Sequence, residues 1–232
     1  SAVPVLGPPG RFRTDTGTVG NLSLVGKRLL INAEDLVVST GLGMEFPTGA
    51  DGSVTSGDTV FTVENESLFL QPFLAMTLDN GDVFIHSFLQ LDIDLKGSPL
   101  TVDDLSMPGP AVGVGEITQQ TLLHWDTSAG VWLARSDDER GITGIAAIAE
   151  FHLSSATSSA ETVAGIVPAA GGPINFALTS PSNRFSTAYV TVGLHTEVGR
   201  DQTIRVAGVF PLRDGASRFF DSELMVQLGR RY

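Results

Sequence analysis

Apolar and polar residues alternate over segment after segment of this chain, a period of two that suits a β-strand with one apolar and one polar side. The clearest stretch is 83–95. There Val83, Ile85, Leu89, Leu91, Ile93 and Leu95 share one face, interrupted by Ser87, while Phe84, His86, Phe88, Gln90, Asp92 and Asp94 share the other. The same reading fits 36–46, 67–78, 120–135, 141–154, 185–198, 203–212 and 219–232, with 21–31 as a ninth. These segments run to roughly ten to sixteen residues, against a usual strand length of about 5–6 in globular proteins. A tilted strand needs about 9–11 residues to cross a hydrocarbon layer.

The spacers alternate too. Short ones (32–35, 79–82, 136–140, 199–202) alternate with long ones (47–66, 96–119, 155–184, then an intermediate 213–218). A soluble meander has no reason to do this, whereas a membrane barrel has short turns at one end and longer loops at the other. The fold expected is all-β: an antiparallel up-and-down transmembrane β-barrel with nine strands visible over 21–232. Residues 1–20, rich in Pro and Gly, read as a loop or a truncated segment. Single-chain bacterial barrels have even strand numbers, so nine suggests ten to twelve in a full protein, with a short strand at Arg11–Thr16 as the fallback.

Composition narrows the function classes. The net charge of −12 argues against nucleic acid as a partner. The lack of cysteine removes disulfides, thiolate metal sites and cysteine nucleophiles.

Turn chemistry gives trial registers. Asn80-Gly81 as a two-residue hairpin turn sets Leu78 opposite Val83, Phe73 opposite Phe88 and Gln71 opposite Gln90. Closing the turn near 201 with Val198 opposite Ile204 sets Glu197 against Arg205. Pro72 falls inside a strand and predicts a bulge or bend.

Charge partitions between the two faces. The apolar side of the nine segments has no Asp or Glu, and its basic residues, Arg28, Arg135 and Arg230, sit near short-turn ends where a long side chain can reach water. The polar side collects Glu45, Asp92, Asp94, Asp126, Glu150, Glu197, Asp221 and Glu223 against Lys27, Arg205, Arg213 and Arg231, with all four histidines, His86, His124, His152 and His195. From this set His86, Asp92, Asp94, His124, Asp126, Glu150, His152, His195, Glu197, Arg205 and Glu223 are the expected lumen lining. Aromatic residues on the apolar face, Phe46, Phe151, Phe210 and Phe220 with Trp125 deeper and Tyr232 at the other rim, make a partial girdle. Trp132 and Tyr189 point inward.

The final segment, FFDSELMVQLGRRY, places Leu224, Val226, Leu228 and Tyr232 on one face and ends on an aromatic residue. It resembles the terminal-strand signal of bacterial outer-membrane β-barrels that the barrel-assembly machinery reads, although Arg230 departs from the apolar residue often found two places before the end. The stretch 190–232, with GNLSLVGKRLL, GLGMEFPTG and VENESLFLQPFLAM, resembles an uncharacterised porin-like family of planctomycete-type bacteria. That resemblance implies a barrel in the outer membrane of a Gram-negative-type envelope, in contact with its lipids. It supplies no substrate and no catalytic residues.

Chemistry at the polar face is sparse. His124 with Asp126, Glu150 with His152, and His195 with Glu197 recur at spacing two, about 7 Å apart on one strand face. The hairpin at 135–141 could bring His124, Asp126, Glu150 and His152 together for a divalent cation, against the simpler reading of a hydrogen-bonded lining. Ser128 and Ser154 share that face, but no GxSxG occurs and the chain is not read as an enzyme. Asp51, Asp58, Asp103 and Asp104 offer loop carboxylates to calcium, with solvated acidic loops as the simpler reading. The loop 155–184 is too long for a mere connection and is expected to fold inward and narrow the pore. No cofactor is implied. The functional expectation is porin-like passive diffusion of small solutes with a cation preference, with room for homo-oligomers. The alternatives are a closed barrel with a structural or surface-interaction role and a soluble all-β binding domain.

Overall fold

A computed structural model describes residues 19–136, 140–159, 161–167, 172–179, 185–215 and 218–230. The nine alternating segments form one antiparallel sheet. Its strands are β1 (Leu22–Asn32), β2 (Leu36–Phe46), β5 (Phe69–Asp79), β6 (Val83–Asp94), β9 (Leu122–Arg135), β10 (Ile142–Ala156), β13 (Ser186–Val198), β14 (Gln202–Pro211) and β15 (Glu223–Arg230). They pair in the order β1-β2-β5-β6-β9-β10-β13-β14-β15, so each strand lies beside the strands before and after it in this series. Short turns all fall at one end and long connections all at the other.

The long connections hold six further strands that alternation did not predict. β3 (Gly52–Ser56), β4 (Thr59–Val63), β7 (Ser98–Asp104) and β8 (Val112–Ile117) form a four-stranded sheet, and β11 (Thr162–Val167) pairs with β12 (Ile174–Thr179). Leu100 and Val102, with Val163, Val167 and Phe176, are buried together, and Phe61, Val63, Val114 and Ile117 pack around them. The long-connection end thus carries a cap with its own apolar core. Among the described residues of 155–184, the β11–β12 hairpin gives Val163, Val167 and Phe176 to that core.

Among the described residues the nine-stranded sheet has no such cover on its apolar side. Leu194 is 48% exposed, Val226 61% and Leu228 75%. The polar side is the sheltered one: Ala146, Ile148, Thr191 and Ala207 are all buried there. A flat sheet would expose both sides alike, so the sheet curls with its polar side concave. Trp132 on β9 and His195 on β13 meet across β10 with ring centroids 5.8 Å apart, where two strand spacings would separate their backbones by about 9.5 Å. β1 and β15 have no second ladder partner among the described residues, so a closed ring is not seen.

Three corrections come from turns and bulges. The Asn80-Gly81 hairpin has a wider loop: the Asn80 side chain accepts from the Asp82 and Val83 amides at 3.2 and 2.9 Å. Thr77 therefore faces His86, and Phe73 faces Gln90. The turn at 199–201 is tighter than expected, with Val198 opposite Gln202, so Arg205 lies opposite His195 rather than Glu197. Each shift is by two in summed register, which keeps every side chain on its expected face. The third correction changes a face. A register shift on β9 between Trp132 and Ala134 turns Arg135 to the polar side, where its guanidinium lies 4.3 Å over the Trp132 ring.

Pro72 causes no register shift. Its β6-side ladder skips Gln71 and Pro72 and resumes unshifted, while on the other side Pro72 pairs with Leu42. Phe220 lies in the 212–222 connection and stacks on Tyr189 at 5.3 Å, on the concave side of the sheet and not on its outer face. Phe46, Phe151 and Phe210 do face outward, and Trp125 meets Phe151 edge to face at 5.4 Å. Tyr232, Arg231 and Arg11–Thr16 lie outside the described residues.

Aromatic rings on the concave side lie against glycines of the neighbouring strand. A Cβ built on Gly130 would sit 2.1 Å from the Phe84 ring, and one on Gly41 would sit 2.2 Å from the Phe73 ring. Gly130→Ala is expected to destabilise the fold by about 1–3 kcal/mol through overpacking. Gly52→Ala, with nothing within 4 Å, should stay within about 0.5 kcal/mol. Urea midpoints of the two variants check the difference.

Candidate functional site

The concave wall is built from alternate residues of β2, β5, β6, β9, β10, β13 and β14, and its polar groups form rows across adjacent strands. In the row nearest the cap, Gln90 donates to Asp92 at 2.6 Å. His124 then bridges, with Nε2 3.3 Å from Asp92 and Nδ1 2.9 Å from the Ser154 hydroxyl. One turn of alternation deeper, His152 Nδ1 lies 2.7 Å from Asp126 and Nε2 3.5 Å from Glu150. His86 faces Thr77 at 3.2 Å. At the far side Arg205 donates to His195 Nδ1 at 3.0 Å, which makes that nitrogen an acceptor.

The expected lining residues His86, Asp92, Asp94, His124, Asp126, Glu150, His152, His195, Glu197, Arg205 and Glu223 all lie on strands of this sheet with the parity of the concave face. The proposed meeting of His124, Asp126, Glu150 and His152 does not occur. His124 turns to Asp92 and Ser154, leaving the other three as a separate group, and among the described residues no cluster fit to hold a metal ion is present. The loop acids are also dispersed: Asp103 and Asp104 are ladder residues of β7, and Asp51 accepts from the Asn65 amide. His124 between a carboxylate and the Ser154 hydroxyl has the order of a hydrolase triad. The Ser154 backbone, however, sits within a continuous ladder, so it offers no turn of free amides for an oxyanion.

The charge tally of the wall shifts slightly from expectation. Glu45, Asp92, Asp94, Asp126, Glu150, Glu197 and Glu223 stand against Lys27, Arg135 and Arg205. Asp221 and Arg213 fall in the last connection. The wall remains acidic.

Asp94 joins wall to cap. Its Oδ2 accepts from the Ser67 hydroxyl at 3.1 Å and the Gln119 amide at 2.9 Å, and its Oδ1 from the Gly97 amide at 2.9 Å and the Lys96 amide at 3.2 Å. Asn65 adds a second tie, donating to Asn21 Oδ1 at 2.7 Å, while Asn21 donates to Glu45 at 2.9 Å. Beside them Lys96 donates to Glu66, and that bonded carboxylate holds the ammonium pKa above its ordinary value. Sequence reading placed Asp94 on the wall but missed its role as a tie. The signal was its position at a strand end followed by Gly97, which adopts positive φ.

Two spaces lie along the concave face. One of about 330 Å³ is bordered by Thr77, His86, Phe88, Asp126, Ser128, Glu150 and His152. The other, about 270 Å³, lies where wall and cap meet. No family model, no curated protein and no solved structure matches this chain.

Asp94→Ala removes the acceptor of four bonds at the wall–cap junction. Loss of bonds to a charged acceptor costs on the order of 1–3 kcal/mol, so amide exchange over 95–119 should speed about tenfold or more while the β5–β6 ladder keeps its protection. Hydrogen-exchange mass spectrometry measures both.

Proposed function

We propose that the nine-stranded sheet is the wall of an outer-membrane β-barrel that lets small solutes diffuse through, with cations favoured over anions. The observation that carries this reading is the long apolar side of the sheet, convex and without any packed element over it among the described residues. Water leaves such a surface unsatisfied, and acyl chains suit it.

Details of that side support the same reading. Its mid-strand polar groups are bonded to one another: Ser87 meets Thr127 at 2.8 Å, and Trp125 Nε1 donates to Ser87 at 3.3 Å. Thr40 donates to the Phe73 carbonyl at 2.8 Å. Groups facing hydrocarbon need such internal partners. Arg230, on the outer side of β15, pairs with Asp201 at the short-turn end at 3.1 Å, where charge can meet headgroups.

Leu224, Val226 and Leu228 line the outer face of β15, in keeping with a terminal strand read by an assembly machinery. The likeness to porin-like planctomycete proteins belongs to the same proposal. Completing a cylinder requires a seam. Because β1 and β15 both run from the long-connection end to the short-turn end, the seam is either a parallel β1–β15 ladder or a further strand antiparallel to both.

A closed, filled barrel is the second reading. The packing of Phe73 and Phe84 against glycines favours an open path, since rings laid along the wall do not plug it. A soluble binding domain would need a cover for the convex side.

In planar bilayers the protein is expected to form channels with a reversal potential showing cation preference in a salt gradient. Neutralising Asp126→Asn and Glu150→Gln together should lower that preference. Channels without charge preference, or with anion preference, would contradict the proposal.

A further inference from the structure

We infer that the space between wall and cap binds a neutral polyhydroxylated solute of saccharide type. Its role on a conduction path rests on the pore reading above, but binding itself does not. The space is about 270 Å³, at the small end of ligand pockets (roughly 300–1,000 Å³), and an adjoining one of about 350 Å³ shares Asn65 and Gln119 with it. One sugar ring fits the first, and a second ring has somewhere to continue.

The lining chemistry selects the class. Carboxamides dominate it: Gln71 from the wall, Gln119 and Gln120 from the stretch leading into β9, and Asn65 from the cap side. A carboxamide carries two donors and an acceptor in one plane, which matches the paired hydroxyls of a sugar, each of which both donates and accepts. Phe69 supplies an apolar ring to the same space, a surface for the C–H face of a pyranose. No Lys or Arg borders it, so an anionic solute finds no counter-charge.

A cation is also disfavoured here. The two carboxylates on the border are engaged: Glu45 accepts from Asn21, and Asp92 holds Gln90 with one oxygen and faces His124 with the other. The deeper space has two carboxylates as well, Asp126 and Glu150, both facing His152, but no carboxamide borders it. Hydroxylated solutes are thus matched at the mouth.

The test is titration of the full chain, folded in detergent, with glucose, maltose and putrescine, read by saturation-transfer NMR and calorimetry. Saturable binding of glucose or maltose is expected, weakened tenfold or more by Gln71→Met with Gln119→Met, and putrescine should not compete. Gln119 holds Asp94 through its backbone amide, so this change leaves the wall–cap tie in place, and an unchanged urea midpoint confirms that the fold is intact. Absence of saturable sugar binding, binding indifferent to the two substitutions, or displacement by putrescine would overturn the inference. Channels in bilayers without sugar binding overturn the inference alone, whereas sugar binding without channels overturns the pore reading alone.

Discussion

The structure depends on one constraint: a ladder of backbone hydrogen bonds nine strands wide has an apolar surface on its convex side that no other described part of the chain covers. In water such a surface would demand a partner of comparable size. The chain spends its buried apolar residues elsewhere, with Leu100, Val102 and Phe176 in the cap and Ala146, Ile148 and Ala207 on the concave wall. The convex leucines and valines are therefore left exposed among the described residues.

Curvature follows from small residues placed on the concave side. Gly41, Gly130 and Gly144 give room for Phe73, Phe84 and Trp132 to lie flat along the neighbouring strand. The rings restore packing that glycine lacks, and they leave the interior to polar rows. Those rows hold histidines between carboxylates and hydroxyls, so the wall is polar and well bonded. The cap is tied down through Asp94 and Asn65 at the long-connection end of the sheet.

The sheet was legible because period two, repeated over long segments, leaves little choice of face. Even where the hairpin at 80–83 turned out wider and that at 199–201 tighter, the two-residue shift preserved each side chain's orientation, so the wall residues from His86 to Arg205 kept their side. Arg135 escaped, since a bulge between Trp132 and Ala134 reverses parity and leaves no mark in the pattern of residue types. The cap escaped for a different reason. Its strands are short, five to seven residues, and hide among Gly, Ser and Asp. Yet 54–63 reads VTS-GD-TVFTV, with Gly57 at positive φ in a two-residue turn, and that hairpin could have been found. Pairings of polar groups were beyond reach: which carboxylate His124 would choose depends on register to a single residue.

The two tryptophans of the chain separate the faces in one measurement. Trp125 lies on the convex side, 42% exposed, and Trp132 on the concave side between Phe84, His195 and Arg135. Each can be left as the sole indole by changing the other to Phe, and the protein reconstituted in vesicles whose lipids carry bromine high on the acyl chains. The account expects strong quenching of Trp125 and little of Trp132. Equal quenching of both, or quenching of Trp132 alone, would contradict it.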